Sequence, residues 1–395
     1  MTSHYLAIDL GAESGRVMLG TLESGRVSLK ELSRFSNEPL RDGDGIYWNI
    51  PALIEGVRNG LVKAGTLGHP ITSVSADAWG VDYVLIDNKG EIMEPVFHYR
   101  HPRTIDGEKK ALVKVDWPTL FDESGVQYML LNTSIQLCSE VPDRLGMANT
   151  ILTIADAFNY ILSGVAKIEV SMASTTQLYN PRLNCWSDRL IKDLGLPRSM
   201  FPEVVSPATT LGPLKPDFSQ CSGLNNINVV SSLSHDTACA VAACPTDRTR
   251  WAYISSGTWS LIGLELSEPI LTDDCRDLNF TNEIGYGNST RLLKNIIGLW
   301  LVQECRRSWA KQGNEYSYDQ LTEMAINSKP YQSVLNPLDP SFIAPDNMPK
   351  LISEICNETN QVVPKTPGEI IRCALAVSYT HLRAHETKAN LVCRL

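Results

Sequence analysis

The sequence predicts a duplicated α/β protein, two domains of sheet and helix with a cleft between the copies. Three observations lead there. Its 395 residues are more than one hydrophobic core usually serves. Apolar runs of strand length alternate with helical periodicities along the chain. Two stretches also share one shape: a strand, a small-residue turn with glycine, and a second strand. They are "AIDLGAESGRVMLG" (Ala7 to Gly20) and "YISSGTWSLIGLEL" (Tyr253 to Leu266), one near the start of each half.

The elements read in order as follows. "YLAIDL", "RVMLGTL" and "RVSLKELSRF" are three strands, with "ESG" as the second turn. Pro51 opens a helix, "PALIEGVRNGLVKAG", in which Leu53, Ile54, Val57 and Leu61 share a face and Gly65 is the expected stop. "ITSVSAD" and "VDYVLID" are strands, the latter closed by the turn "NKG". "TILTIADAFNYILSG" carries Ile151, Ile154, Phe158 and Ile161 at helical spacing. "INVVSSLS" then runs into "HDTACAVAA", a strand–turn–helix junction, and "LKNIIGLWLVQECRRSW" reads as one amphipathic helix.

Charge and composition exclude several classes of function. A net charge of −9 without any basic run argues against non-specific nucleic-acid binding and against a membrane patch. The opening "MTSHYLAIDLGAES" has neither a basic region nor a long apolar run, so no signal peptide is expected. No segment approaches the roughly 18 apolar residues of a spanning helix. The ten cysteines show no zinc spacing, although Cys356 and Cys373 could bridge if the fold brings them together. A reduced, cytosolic enzyme is the expectation.

The first hairpin is phosphate-like, yet it spells neither G-x-x-x-x-G-K-[ST] nor G-x-G-x-x-G. In "LSHDTACAV", Asp236 stands where a strand ends and a helix begins. It reads either as an N-cap or as a general base at the carboxyl edge of a sheet, with His235 orienting a hydroxyl beside it. Trp79 and Gly80 in "DAWGVDYVLID" suit a sugar stacked on an aromatic ring, or a core tryptophan. Arg100 and Arg103 in "HYRHPRT" read as solvated charge. Asn295 and Gln303 are the polar residues that the apolar face of "LKNIIGLWLVQECRRSW" does not explain.

Taken together, "AIDLGAESGRVMLG", "DAWGVDYVLID", "SHDTACAV", "SSGTWSLIG" and "LKNIIGLWLVQ" resemble, in order, the successive signatures of the FGGY carbohydrate kinases. The resemblance runs from about Tyr5 to Ala376 and implies an actin-like, hexokinase-type (ribonuclease H-like) fold. It implies residues 1–245 as an N-terminal domain with the sugar site and first phosphate loop. Residues 246–377 follow as a truncated C-terminal domain with the second phosphate loop. It further implies ATP and Mg²⁺ as cofactors and a small ketose as substrate, in a monomer or small homo-oligomer. Ala12, Glu13, Ser14, Gly15 and Arg16 would face the ATP phosphates, with Thr258 and Gln303 also on the nucleotide. Asp9 would hold Mg²⁺ through water. Gly80, His235, Asp236, Thr237 and Asn295 would contact the sugar, with Asp236 as the base.

The pattern departs from the family in three places. Glu13 replaces a small residue, His101-Pro102 replaces a common Asp-Ser pair, and the Gly-rich adenine segment that follows "IIRCALA" in the family is absent. "VSYTHLRAHETKANLVCRL" abandons the helical pattern and resembles a translated sequencing adapter, so 378–395 is expected to be an artefactual tail.

Overall fold

The computed structural model describes residues 2–246, 251–337, 339–343 and 345–384. The chain forms two compact units, Met1–Pro245 with Leu266–Leu292, and Thr246–Glu265 with Leu293–Leu395.

The first unit is organised by a six-stranded sheet. Alternation of apolar and polar residues makes β1 (Thr2–Leu10), β2 (Ser14–Glu23) and β3 (Arg26–Ser36) a meander. Ser24 and Gly25, both at positive φ, close its second turn. On its other side β1 runs parallel to the strand Ile71–Ala78, which runs parallel to Asn228–Ser231. Thr209–Pro213 closes that end antiparallel. Three antiparallel strands followed by two parallel ones is the order expected of a ribonuclease H-like sheet. Ile8, Leu10, Val17, Val74, Ala76 and Val229 are buried, the larger side chains each contributing roughly 1.5–3 kcal/mol when fully removed from water.

Helix α1 (Ile50–Thr66) covers β2 and β3 with Leu53, Val57 and Leu61. Asn49 caps it by accepting the N–H of Ala52 at 3.2 Å. Gly65 does not stop the helix. It lies inside the last turn, where a Cβ would collide with the carbonyl of Ser222, so its role is close packing. "TILTIADAFNYILSG" also departs from expectation. Ala148–Thr153 is a strand paired with Tyr83–Asp87, and only Ile154–Ser163 is helical. Thr150, Ile151 and Thr153 are β-branched, and their side chains pack better on a sheet than against a preceding helical turn.

The second unit contains the hairpin Ala252–Ser256 and Trp259–Leu266, with Ser256 opposite Ser260. "LKNIIGLWLVQECRRSW" is not one helix. Its first five residues end the strand Thr290–Ile297, and the helix begins at Trp300 and runs to Lys311. Gly298 separates them, because a Cβ there would meet the Gly257 carbonyl and Ser260. Trp300, Leu301, Cys305 and Trp309 pack with Leu321, Phe342, Ile352, Cys356 and Ile371 into this unit's core. Cys356 and Cys373 lie in that core as free thiols, not as a disulfide. The Cys373 thiol donates to the Ser333 carbonyl at 3.6 Å. The last helix runs from Pro367 to Ala384, so the backbone continues past "IIRCALA"; residues 385–395 lie outside the described residues. Among the described residues no helix is long and apolar enough to cross a membrane.

Candidate active site

Two neighbouring strands of the first unit carry acidic residues at their carboxyl ends, and a third acidic residue opens the helix that follows the adjoining strand. Asp9 closes β1 and Asp77 lies directly across from it on the parallel strand. The third is Asp236, one residue past His235, which forms a parallel bridge with Ala78. This edge is where ligands bind in sheets of this kind. Burial and the charges of Asp9 and Asp236 push Asp77 well above the usual carboxylate range. Asp236 is raised by burial above all, with His235 and the Thr237 amide opposing and Asp9 adding to the rise.

The structure refines the role of Asp236. His235 occupies the cap position of the helix Asp236–Ala242 and makes no side-chain cap bond, so Asp236 is the first helical residue. Its Oδ1 accepts the Thr237 N–H at 2.5 Å and the Thr237 hydroxyl at 3.2 Å. Below it lies a network that the sequence did not reveal. Glu169 Oε2 accepts the Ser234 N–H at 3.0 Å and the Ser171 hydroxyl, and Ser171 Oγ accepts the His235 N–H at 3.1 Å. Asp156 accepts the Glu169 N–H at 3.1 Å and the Thr153 hydroxyl at 2.5 Å. Burial raises both carboxyls, Asp156 the more strongly. The "SHDT" backbone is therefore held in place by buried polar groups, all acting through Oε2 of Glu169 and the Ser171 hydroxyl.

Gly80 belongs to the same edge. A Cβ on it would lie 3.3 Å from His235 Nε2 and 3.4 Å from Thr175. Its neighbour Trp79 is a core residue, as the second reading of that segment has it. Asp82, fully buried, accepts the indole N–H of Trp79 at 2.9 Å and of Trp48 at 2.6 Å, and burial brings its carboxyl up to about 6. The expectation of solvated charge in "HYRHPRT" is overturned. Arg100 is buried, and Arg103 pairs with buried Glu140 at 2.8 Å and stacks over Phe97. Glu140 makes the difference, since a buried guanidinium needs a carboxylate and a short Pro-broken loop can deliver it to one.

In the opening hairpin, Ala12 and Glu13 occupy the turn, whereas Ser14, Gly15 and Arg16 begin β2. The Gly11 N–H donates to the Ser14 carbonyl, and Asn37 clamps the turn through Gly11 and Glu13. The Ser14 hydroxyl accepts from Arg34 at 3.4 Å. Arg16, opposite Asp9 in the ladder, forms an ion pair with it.

In the second unit, Thr258 and Gln303 meet. Gln303 Nε2 donates to Thr258 Oγ1 at 3.2 Å, and the Thr258 carbonyl accepts the N–H groups of Gly298 and Trp300. The turn "SGT" is thereby docked on the start of the helix Trp300–Lys311. Asn295 belongs to this unit too, on the strand Thr290–Ile297 and not on a helix.

Comparison with known proteins gives a consistent picture. The model of the FGGY family of carbohydrate kinases, N-terminal domain, matches residues 4–243, and that of its C-terminal domain matches 252–386. The chain is 36% identical over 385 residues to a rhamnulokinase of Bacteroides thetaiotaomicron, covering 96% of this chain and 79% of that protein. It is 38% identical over 382 residues to a rhamnulokinase of Bacillus subtilis, covering 95% and 77%. Among solved structures, a xylulose kinase from Rhodospirillum rubrum aligns with TM-score 0.71 at 15% identity, over 96% of this chain and 78% of that one. A ligand-bound xylulose kinase from Lactobacillus acidophilus aligns with TM-score 0.67 at 12% identity, over 83% and 66%. These two show the fold.

Proposed function

The chain belongs to the FGGY family of carbohydrate kinases, and on that premise we propose that it transfers the γ-phosphoryl group of ATP to the C1 hydroxyl of L-rhamnulose, giving L-rhamnulose 1-phosphate. Likeness to rhamnulokinases over nearly the whole chain supports the choice of sugar. The observation that carries the chemistry is Asp236 at the carboxyl edge of the sheet, beside His235 and Gly80. Asp236 takes the proton from the C1 hydroxyl as its oxygen attacks phosphorus. Burial raises the basicity of that carboxylate. Phosphoryl transfer asks for alignment and charge neutralisation more than covalent help, so the remaining residues position their ligands. Gly80, His235, Thr237 and Asn295 bind the sugar. Ala12, Glu13, Ser14, Gly15, Arg16, Thr258 and Gln303 bind the nucleotide.

Asp9 is suited to Mg²⁺. The charges of Asp9 and Asp236 raise the Asp77 carboxyl, and that of Asp9 raises Asp236, a concentration of negative potential that a hard cation relieves. Among the described residues no three such side chains converge as a ready-made cage. That fits an ion bound by one carboxylate, waters and substrate phosphates. When bound, Mg²⁺ neutralises charge on the phosphates. We further propose a cytosolic enzyme, acting as a monomer or small homo-oligomer.

A coupled assay of ADP release with L-rhamnulose, L-fuculose and L-xylulose tests the assignment. L-rhamnulose is expected to give the highest kcat/KM; preference for another ketose overturns the choice of sugar. ATP hydrolysis that is equally fast without any acceptor overturns the kinase reading. Asp236→Asn is expected to lower kcat about 10²–10⁴-fold with KM for ATP unchanged.

A further inference from the structure

His235 lies between two carboxylates and a guanidinium, all within the first unit. Arg291, fully buried, brings Nη2 to 3.1 Å from His235 Nδ1 and to 3.0 Å from Glu283 Oε2. Its Nε and Nη2 also donate to the Ile284 carbonyl. On the other side of the ring, Nε2 lies 3.4 Å from Asp236 Oδ1, and the Cα of Gly80 faces it closely enough that a Cβ would stand 3.3 Å away. The His235 backbone is fixed separately through Ser171.

A guanidinium offers only N–H groups and no acceptor. The ring nitrogen facing Nη2 must therefore present its lone pair, because a proton there would point at the arginine N–H. Glu283 Oε2 stands farther from Nδ1, at 3.4 Å, and is already engaged by Arg291. We propose that Glu283 and Arg291 are positioning residues that lock His235 as the neutral Nε2–H tautomer, which makes it a fixed hydrogen-bond donor to a sugar oxygen beside Asp236. The sugar contact rests on the function proposed above; the tautomer rests on the protein alone. The partner bonded to one ring nitrogen sets what the other can do. Gly80 leaves the space into which the Nε2–H points.

Glu283 has a reason to be charged. Although burial opposes ionisation, the Arg291 guanidinium holds its carboxyl below the usual range. An ionised Glu283 fixes the guanidinium, and the guanidinium fixes the ring. Neither residue belongs to the motifs that carry the family resemblance, and each is separated from His235 by more than 45 positions, as the separation of 56 between His235 and Arg291 illustrates.

The test has a spectroscopic arm that needs no sugar. In protein labelled with ¹⁵N-histidine, with the His235 signals assigned by their loss in His235→Asn, the shifts between pH 6.5 and 8 are expected to be those of a neutral Nε2–H ring. An Nδ1–H ring or an imidazolium over that range overturns the inference, whatever the enzyme phosphorylates. In the kinetic arm, Glu283→Gln is expected to lower kcat/KM for L-rhamnulose about 10–100-fold, the range seen where an outer group orients a histidine, with KM for ATP unchanged. The same variant is expected to show mixed tautomers. Arg291→Lys, which keeps a donor toward Nδ1, is expected to retain more activity and more Nε2–H signal than Arg291→Met. If Arg291→Met does not fold, native protein and Glu283→Gln decide the matter. Native spectra and native kcat/KM in Glu283→Gln overturn the positioning role. If no ketose is phosphorylated by native protein, the proposed function fails while the tautomer measurement still stands or falls by itself.

Discussion

Asp77 stands directly across from Asp9 in the parallel ladder, so that two carboxylates share one sheet edge with Asp236 close enough to repel both. Such an arrangement costs stability, because each ionised carboxylate disfavours ionisation of the next. The consequence for pH follows from proton counting. Asp77 holds its proton in the folded state at pH values where the unfolded chain, with a carboxyl pKa of about 3.9, has released it. Its contribution is therefore most favourable at low pH and declines as pH rises toward the folded value. Asp77→Asn removes the cost of that charge. The melting temperature of the variant is expected to exceed that of the native protein more at pH 8 than at pH 4.5. An equal or smaller gain at pH 8 would mean that the Asp77 carboxylate is compensated, with Arg16 the group positioned to do so.

Val81 adopts φ of 69°, a left-handed conformation that is a genuine outlier for a β-branched residue. It directly follows Gly80, and its backbone is held on both sides. The carbonyl accepts from Thr133 at 2.6 Å and Gln136 at 3.2 Å, and the N–H donates to Thr175 at 3.5 Å. Strain of this kind costs on the order of 1–3 kcal/mol. Val81→Gly relieves it but adds about 0.5–1 kcal/mol of backbone entropy. A net rise of about 2–4 °C in Tm is expected for each kcal/mol gained. KM for the sugar should rise several-fold with KM for ATP unchanged, because Gly80 loses a rigid neighbour. A variant with higher Tm and native KM would show that the strain serves only the loop.

Thr258 and Gln303 offer a separate test in the second unit. Thr258→Val preserves shape and removes the oxygen that Gln303 Nε2 uses, leaving a buried amide without that acceptor. Leaving such a donor unsatisfied costs about 1–3 kcal/mol. Thermal unfolding should report that loss. If the pair lies on the nucleotide, KM for ATP rises while KM for the sugar does not. The opposite pattern would move Thr258 out of the nucleotide site.

Part of this was legible from residue order, and the reason is local. Asp9 stands near the end of an apolar run and Asp236 at a junction of strand and helix, and both positions are visible in sequence. The meander of β1 to β3 was legible because alternation and tight turns are short-range signals. Glu169, Asp156, Glu283 and Arg291 were not, since "IEVSMAS" or "TNEIGYGNSTRLL" gives no sign of which polar side chains will be buried and joined. Asn295 reads as helical from sequence because "LKNIIGLWL" fits both periods over its short length. Gly298, pressed against the turn at Gly257, is what divides strand from helix, and that contact is tertiary.

Gly15 shows how one residue can answer to two demands. As the glycine of the opening hairpin it suits a backbone that faces phosphate, and that role remains a proposal. The structure gives a second, independent reason for it. A Cβ on Gly15 would fall 2.2 Å from the Phe35 ring, and one on Gly56 of α1 would fall 2.4 Å from the same ring. Phe35, on β3, thus wedges between the start of β2 and the helix that covers it, and neither glycine tolerates a methyl while the ring stays. Gly15→Ala is expected to cost about 1–3 kcal/mol, the usual range for overpacking. Phe35→Leu, which withdraws the ring, should make Gly15→Ala nearly neutral in the double mutant, with a coupling energy of roughly 0.5–3 kcal/mol read from chemical denaturation. Activity separates the two demands. If the hairpin faces the nucleotide only through its backbone, the Phe35→Leu, Gly15→Ala double mutant recovers stability and KM for ATP together. Recovered stability with KM for ATP still raised would instead mean that the methyl itself meets the phosphates.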